Sequence, residues 1–180
     1  MSSYKKKAFI YATIVAMGGF VFGLDAALIS GAFKFITAEF NLNEWQVGAI
    51  GFGPGIGVLI ALPLAAYSSN KYGRKVTLKV IAALYLVSAI GSALAPSFLI
   101  LFLARFLGGL AFSSITLAAM YIGEISPAEK RGELVSMTQI NIVVGLTAAY
   151  FINYWLLQVT NSDVAWITSF GVKENIWRWM

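Results

Sequence analysis

The sequence contains no cysteine and no histidine, and charged residues make up only 12% of its 180 positions. Each shortage excludes something. Without cysteine there is no disulfide, no thiolate metal site and no sulfur nucleophile. Without histidine, any proton chemistry near neutral pH has to run on carboxylates. A soluble domain carries about 25% charged residues, twice what is found here. No nucleophile–base constellation and no metal-ligand cluster of the kind a catalytic centre needs is visible, so an enzyme is not expected, nor a bound metal.

Apolar residues are abundant, at 59% of the chain, and they are gathered into runs. A bilayer crossing takes about 20 mostly apolar residues. Five stretches qualify, at residues 8–29, 46–67, 76–94, 98–122 and 134–157, and residues 176–180 read as the opening of a sixth. The expected fold class is therefore an all-α polytopic transmembrane helix bundle, one N-terminal transmembrane domain over residues 1–180, embedded in the lipid bilayer. The connections are short, which predicts consecutive spans packed as antiparallel neighbours, with outward-facing segments at residues 31–45 and 158–175.

The net charge of +5 is distributed in a way that argues against nucleic acid. Lys5, Lys6, Lys7, Lys71, Arg74, Lys75, Lys79, Lys130 and Arg131 all fall on one side of the predicted bundle. Lys34 and Lys173 fall on the other, with Glu39, Glu44, Asp163 and Glu174. Basic residues collect on the cytoplasmic side of membrane proteins, so the N-terminus is expected inside. The first apolar run is longer than the core of a cleaved signal peptide, and further spans follow it.

Small residues mark where helices approach closely. Gly19 and Gly23 form a G-x-x-x-G pair in span 1, and Gly48, Gly51, Gly53, Gly55 and Gly57 surround Pro54 in span 2. Lipid gives helices no hydrophobic reason to associate, so close backbone packing has to hold them together. Trp155, Trp166, Trp177 and Trp179 lie toward the outer side, as an interfacial belt would.

Two charges lie where charge is expensive. Asp25 is late in span 1 and Arg105 is in span 4. Each costs about 2.5–3.5 kcal/mol near the bilayer centre. At 1.5 Å per residue, Asp25 lies ~26 Å in from the cytoplasmic entry of its span, and Arg105 ~10 Å in from the outer entry of its own. In a core ~30 Å thick both fall in the outer half, so a pair is geometrically possible. Phe22 lies on nearly the same face as Asp25 and could line whatever cavity Asp25 faces. Gln139 and Asn141 near one end of span 5, and Asn153 near the other, require hydrogen-bond partners.

The loop Asn70-Lys71-Tyr72-Gly73-Arg74-Lys75 resembles the D-[RK]-x-G-R-[RK] loop of the major facilitator superfamily. Gly19 to Asp25 followed by Ile29-Ser30-Gly31 is similar to the first helix of its sugar porters. Arg105 to Gly109, Tyr121 to Glu124, Pro127, Arg131-Gly132 and Gln139 resemble that family's fourth helix, cytoplasmic loop and fifth helix. Trp177 to Met180 resembles the start of its sixth. The resemblance covers essentially the whole chain, and all these motifs stand in order.

The resemblance implies the N-terminal half of a twelve-helix transporter, cut at its sixth helix, with a C-terminal six-helix half missing and a site between the halves near the midplane. It implies that Phe22 and Gln139 contact a monosaccharide, that Asp25 is the proton-titrating carboxylate with Arg105 its partner, and that Arg74, Glu124 and Arg131 form a cytoplasmic charge network holding the outward-open state. Asn70 and Gly73 belong to the same latch. The sequence departs from the pattern at Asn70, usually aspartate, and at Ala66, usually glycine. Ala111, Phe112 and Ser113 replace further glycines, and the stretch from Arg105 to Tyr121 is one residue short. Gln139 counts shallower than a midplane site wants. The expected function is sugar:proton symport across the plasma membrane by alternating access, with the proton as coupling ion and no other cofactor. The alternatives are a facilitative sugar uniporter and a non-transporting sugar sensor.

Overall fold

The computed structural model describes residues 3–161 and 176–178, with side chains described from residue 9 and not at 160, 161 or 176. Lys5 to Lys7 at the level of side chains, and Asp163, Trp166, Lys173, Glu174 and Trp179, lie outside the described residues. Six helices follow one another: α1 (Ser3–Phe40), α2 (Glu44–Tyr72), α3 (Arg74–Ala93), α4 (Phe98–Ala111), α5 (Ser114–Ile125) and α6 (Arg131–Asn161). Short 3-10 turns stand at Ala128–Lys130 and Ile176–Arg178. Five crossings of membrane length result, because α4 and α5 together make one apolar passage, Phe98–Ile125. The join lies at Phe112 and Ser113, where the Phe112 amide is shared between the Gly108 and Gly109 carbonyls and the Ser113 hydroxyl donates to the Leu110 carbonyl.

The helices outrun the apolar stretches that predict them. The segment 31–45, expected as an outer loop, is helical as far as Phe40. Burial is the reason: Ala32 and Ile36 pack with Ile50, Ala95, Leu101 and Trp177 in one of the bundle's apolar clusters. The α1–α2 connection shrinks to Asn41, Leu42 and Asn43. Asn43 then caps α2 by accepting from the Gln46 amide, while the Gln46 side chain accepts from the Asn43 amide, a reciprocal arrangement that satisfies two otherwise unpaired donors. Similarly, α6 runs on past Gln158 to Asn161.

Consecutive spans do touch, but the most extensive seams join spans that are not consecutive in the chain. α1 lies along α6 and touches α2 only slightly, while α2 lies along α4. Both of these seams join parallel helices and are closed by glycine. A side chain at Gly23 would collide with the Ile142 carbonyl, and one at Gly145 with the Phe20 carbonyl. On the second seam, one at Gly109 would strike Pro54 and one at Gly57 the backbone of Phe106. Backbone contact of this kind is what holds helices together in lipid, and it outweighs chain proximity. Asn153 reinforces the first seam, its amide donating to the Ala27 and Leu28 carbonyls at 3.4 and 3.5 Å. Asn141 instead bonds back to Met137 on its own helix.

Candidate functional site

The packing of α1 against α5, which continues α4, brings Asp25 within reach of Arg105. The Arg105 guanidinium donates to an Asp25 carboxylate oxygen at 2.6 Å, with the Arg105 side chain 10% and the Asp25 side chain 26% exposed. Arg105 Nε has no hydrogen-bond partner among the described residues. The pair faces an open cavity of about 1080 Å³ between α1, α3, α4 and α5, with Trp177 and Arg178 also in its lining. Tyr85 and Ser88 of α3 also line it. Tyr85 donates its hydroxyl to the Val21 carbonyl at 3.3 Å, and Ser88 donates to the Ala104 carbonyl, one residue from Arg105, at 2.7 Å. Tyr85 therefore ties span 3 to the turn of α1 that carries Asp25. A lone tyrosine in an apolar run was the available sequence signal, but only packing directs it at Val21.

Phe22 does not line this cavity. Its ring meets Phe112 edge-on, with centroids 4.7 Å apart, and Phe112 lies 5.9 Å from Tyr85. The substitution that puts Phe112 at the α4–α5 join thus supplies the partner of Phe22. Gln139 stands exposed on α6, one residue past Thr138, which packs against Gly19 of α1. The structure accordingly holds Asp25 and Arg105 together but keeps Gln139 out of their cavity.

A second charged cluster lies at the end where α2 passes into α3. Gly73 joins the two helices at φ +86° and ψ 153°, backbone that is essentially restricted to glycine. The turn points Arg74 toward α5, where its Nε and Nη2 both donate to one Glu124 oxygen, at 3.1 and 2.9 Å. A further Arg74 nitrogen donates to the hydroxyl of buried Ser69. Asn70 is exposed beside it, and Arg131 is exposed at the start of α6. Among the described residues no ion pair joins Arg131 to Glu124. Of the five latch residues the sequence points to, two are in contact, one shapes the turn, and two stand free at the surface.

At the opposite end, Glu39 accepts from the Trp177 indole and pairs with Arg178 at 3.1 Å. Trp177 is buried, so it anchors the chain after the outer segment and is not an exposed belt residue. The Arg178 guanidinium lies over its ring, 4.8 Å from the centroid. Nothing in the spacing of Glu39 and Arg178 could have shown this contact.

Known proteins share this fold. The chain is 34% identical to the galactose-proton symporter of Escherichia coli over 99% of its length, and 33% identical to the D-xylose transporter of Levilactobacillus brevis over 92%. It superposes on the proton:xylose symporter XylE bound to 6-bromo-6-deoxy-D-glucose with a TM-score of 0.81 and 30% identity, covering 97% of this chain and 41% of that one. It also superposes on the inward-open form of XylE from E. coli, with a TM-score of 0.79, 30% identity and coverage of 95% and 43%. The chain spans about a third of the length of these two curated relatives, 35% and 33% respectively. The family model for sugar (and other) transporters matches residues 11–178. The chain belongs to that family, with the fold of the N-terminal half of a major facilitator transporter.

Proposed function

We propose that this chain is the N-terminal half of a proton-coupled monosaccharide importer of the plasma membrane, with its N-terminus in the cytoplasm and a second six-helix half completing the sugar path. The observation that carries the reading is the ion pair between Asp25 and Arg105 inside a membrane bundle. Two charges inside a membrane bundle persist only while they compensate each other. A proton arriving at Asp25 removes one of them. The Arg105 guanidinium then loses its partner, and the tie between α1 and α4 changes its energy with the protonation state.

The sugar belongs to the aldoses on which the relatives are named, D-xylose and galactose among them. Gln139 offers an amide to its hydroxyls, while Phe22, its ring edge-on to Phe112, reaches the sugar only if that contact opens. Protonated Asp25 together with bound sugar favours closure, and the halves rock about the site in alternating access. Arg74 and Glu124, with Asn70, Gly73 and Arg131, latch the cytoplasmic end while the path is open outward. The proton is the coupling ion, and no other cofactor is needed.

The test is Asp25→Asn in the transporter. Accumulation of sugar against its gradient is expected to disappear, while exchange of labelled for unlabelled sugar continues. A mutant that still concentrates sugar overturns proton coupling through Asp25. Uptake indifferent to a proton uncoupler would establish a uniporter instead.

A further inference from the structure

Three contacts meet on one turn of α1, and each comes from a different part of the bundle. Arg105 of α4 holds the Asp25 carboxylate. The Tyr85 hydroxyl of α3 holds the Val21 carbonyl, the acceptor that a regular helix assigns to the Asp25 amide. Phe112, at the join of α4 and α5, holds the ring of Phe22. The first two belong to the cavity of the ion pair, but neither Phe22 nor Phe112 lines it. With the turn held at Val21 and Asp25, the contact between Phe22 and Phe112 opens by rotation of a ring and not by a shift of the helix.

Phe112 is the fixed partner in that contact. Its amide is shared between the Gly108 and Gly109 carbonyls, and its carbonyl accepts from the Ile115 amide at 3.2 Å. Its ring meets Tyr85 at 5.9 Å as well as Phe22 at 4.7 Å, and Tyr85 is itself tied at its hydroxyl. Phe22 meets no second ring among the described residues, so of the three it is the one that can turn to another staggered position at the loss of one contact. The family pattern has glycines along the stretch that here reads Ala111-Phe112-Ser113, and a glycine offers Phe22 no ring to rest on.

We infer that Phe112 is a positioning residue for sugar binding: it competes with the sugar for the Phe22 ring and so lowers the apparent affinity. This role rests on the transport reading above, in which the Phe22 ring meets the sugar. An edge-to-face aromatic pair is worth about two- to tenfold in an equilibrium beyond the area it buries. Sugar can use Phe22 only in the fraction of molecules where the pair is open, and the apparent affinity falls by that fraction. Phe112 touches no sugar itself; it acts through Phe22.

Initial uptake rates of D-xylose and galactose by the full transporter give KM and kcat for whichever sugar it carries. Phe112→Ala is expected to lower that KM about two- to tenfold, with kcat changed less. Phe112→Leu, which keeps the space filled without an aromatic edge, is expected to shift KM the same way by a smaller factor. With Phe22→Ala already present, Phe112→Ala is expected to leave KM where Phe22→Ala put it, since a double-mutant cycle isolates the pair. A side chain that only fills space would do the reverse, weakening uptake and lowering the melting temperature whether or not Phe22 is present. An unchanged or raised KM for Phe112→Ala, in protein that melts with the parent, overturns the competition for Phe22 and leaves the transport reading intact. Should Phe112→Ala fail to fold, the direction of the KM shift in Phe112→Leu decides in its place. An equal fall in KM with Phe22→Ala present means that Phe112 acts through another contact, and overturns the competition as well. A parent protein that moves neither sugar overturns the transport reading itself.

Discussion

The ion pair between Asp25 and Arg105 and the one between Arg74 and Glu124 have similar lengths, 2.6 and 2.9 Å, but the side chains are 26% and 10% exposed in the first and 20% and 51% in the second. Length does not set what a pair is worth; the medium does. At the basic end, Glu124 exchanges its partner for water at little cost, so that contact can break and re-form as the protein changes shape. Within the bundle, Arg105 is the least exposed of the four charges, and losing its partner strands it. A latch needs the first property, and coupling to a single proton needs the second.

The difference can be tested most severely at Arg105. Arg105→Leu leaves Asp25 uncompensated and is expected to lower stability by about 3–5 kcal/mol. Adding Asp25→Asn should recover most of that loss, although transport stays dead. Thermal unfolding of the purified proteins measures both, and a double variant no more stable than the single would mean that the pair is not the source of the cost. Next in size is Gly73→Ala. Space is open around Gly73, so the whole penalty, about 1–3 kcal/mol, is backbone strain at its φ and ψ; an unchanged melting temperature would show that the turn relaxes.

Glu124→Gln is expected to cost no more than about 1 kcal/mol of stability yet to shift the protein toward its inward-open form. Reactivity of a reporter cysteine at the cytoplasmic mouth would register that shift, and raised ionic strength should imitate it, since exposed charges are screened. If Glu124→Gln destabilised the protein as much as Arg105→Leu, the two sites would not differ in kind. Smallest is Asn70→Asp, which restores a carboxylate beside Arg74. It should favour the outward-open form by a few tenths of a kcal/mol, the range of an exposed pair, visible as a modest fall in the same reporter's reactivity.

Most of the architecture could be read from the chain because the bilayer leaves few choices. Backbone in lipid must be helical, so run length alone predicted five crossings, and five helices of membrane length are found. Asp25 and Arg105 were legible as possible partners because depth in a membrane can be counted along the helix. The limits of the reading are equally specific. Helix ends were set short because apolar runs mark only the lipid-facing length, whereas Ala32 and Ile36 are buried by Ile50 and Trp177 beyond it. Phe22 was assigned to the cavity of Asp25 from helical spacing, and Phe112 from another helix takes its ring instead. Ser69, one residue before the motif position Asn70, supplies the hydroxyl that Arg74 binds.

The sequence by itself determined that this is a helical membrane protein with five crossings and two opposite charges in the outer half of the hydrocarbon core, because hydrocarbon penalises every other use of such runs. Which helices lie together was decided only in three dimensions. The glycines at 19, 23, 57, 109 and 145 permit backbone contact with any helix shaped to receive them, and only the assembled bundle shows that α1 meets α6 and α2 meets α4.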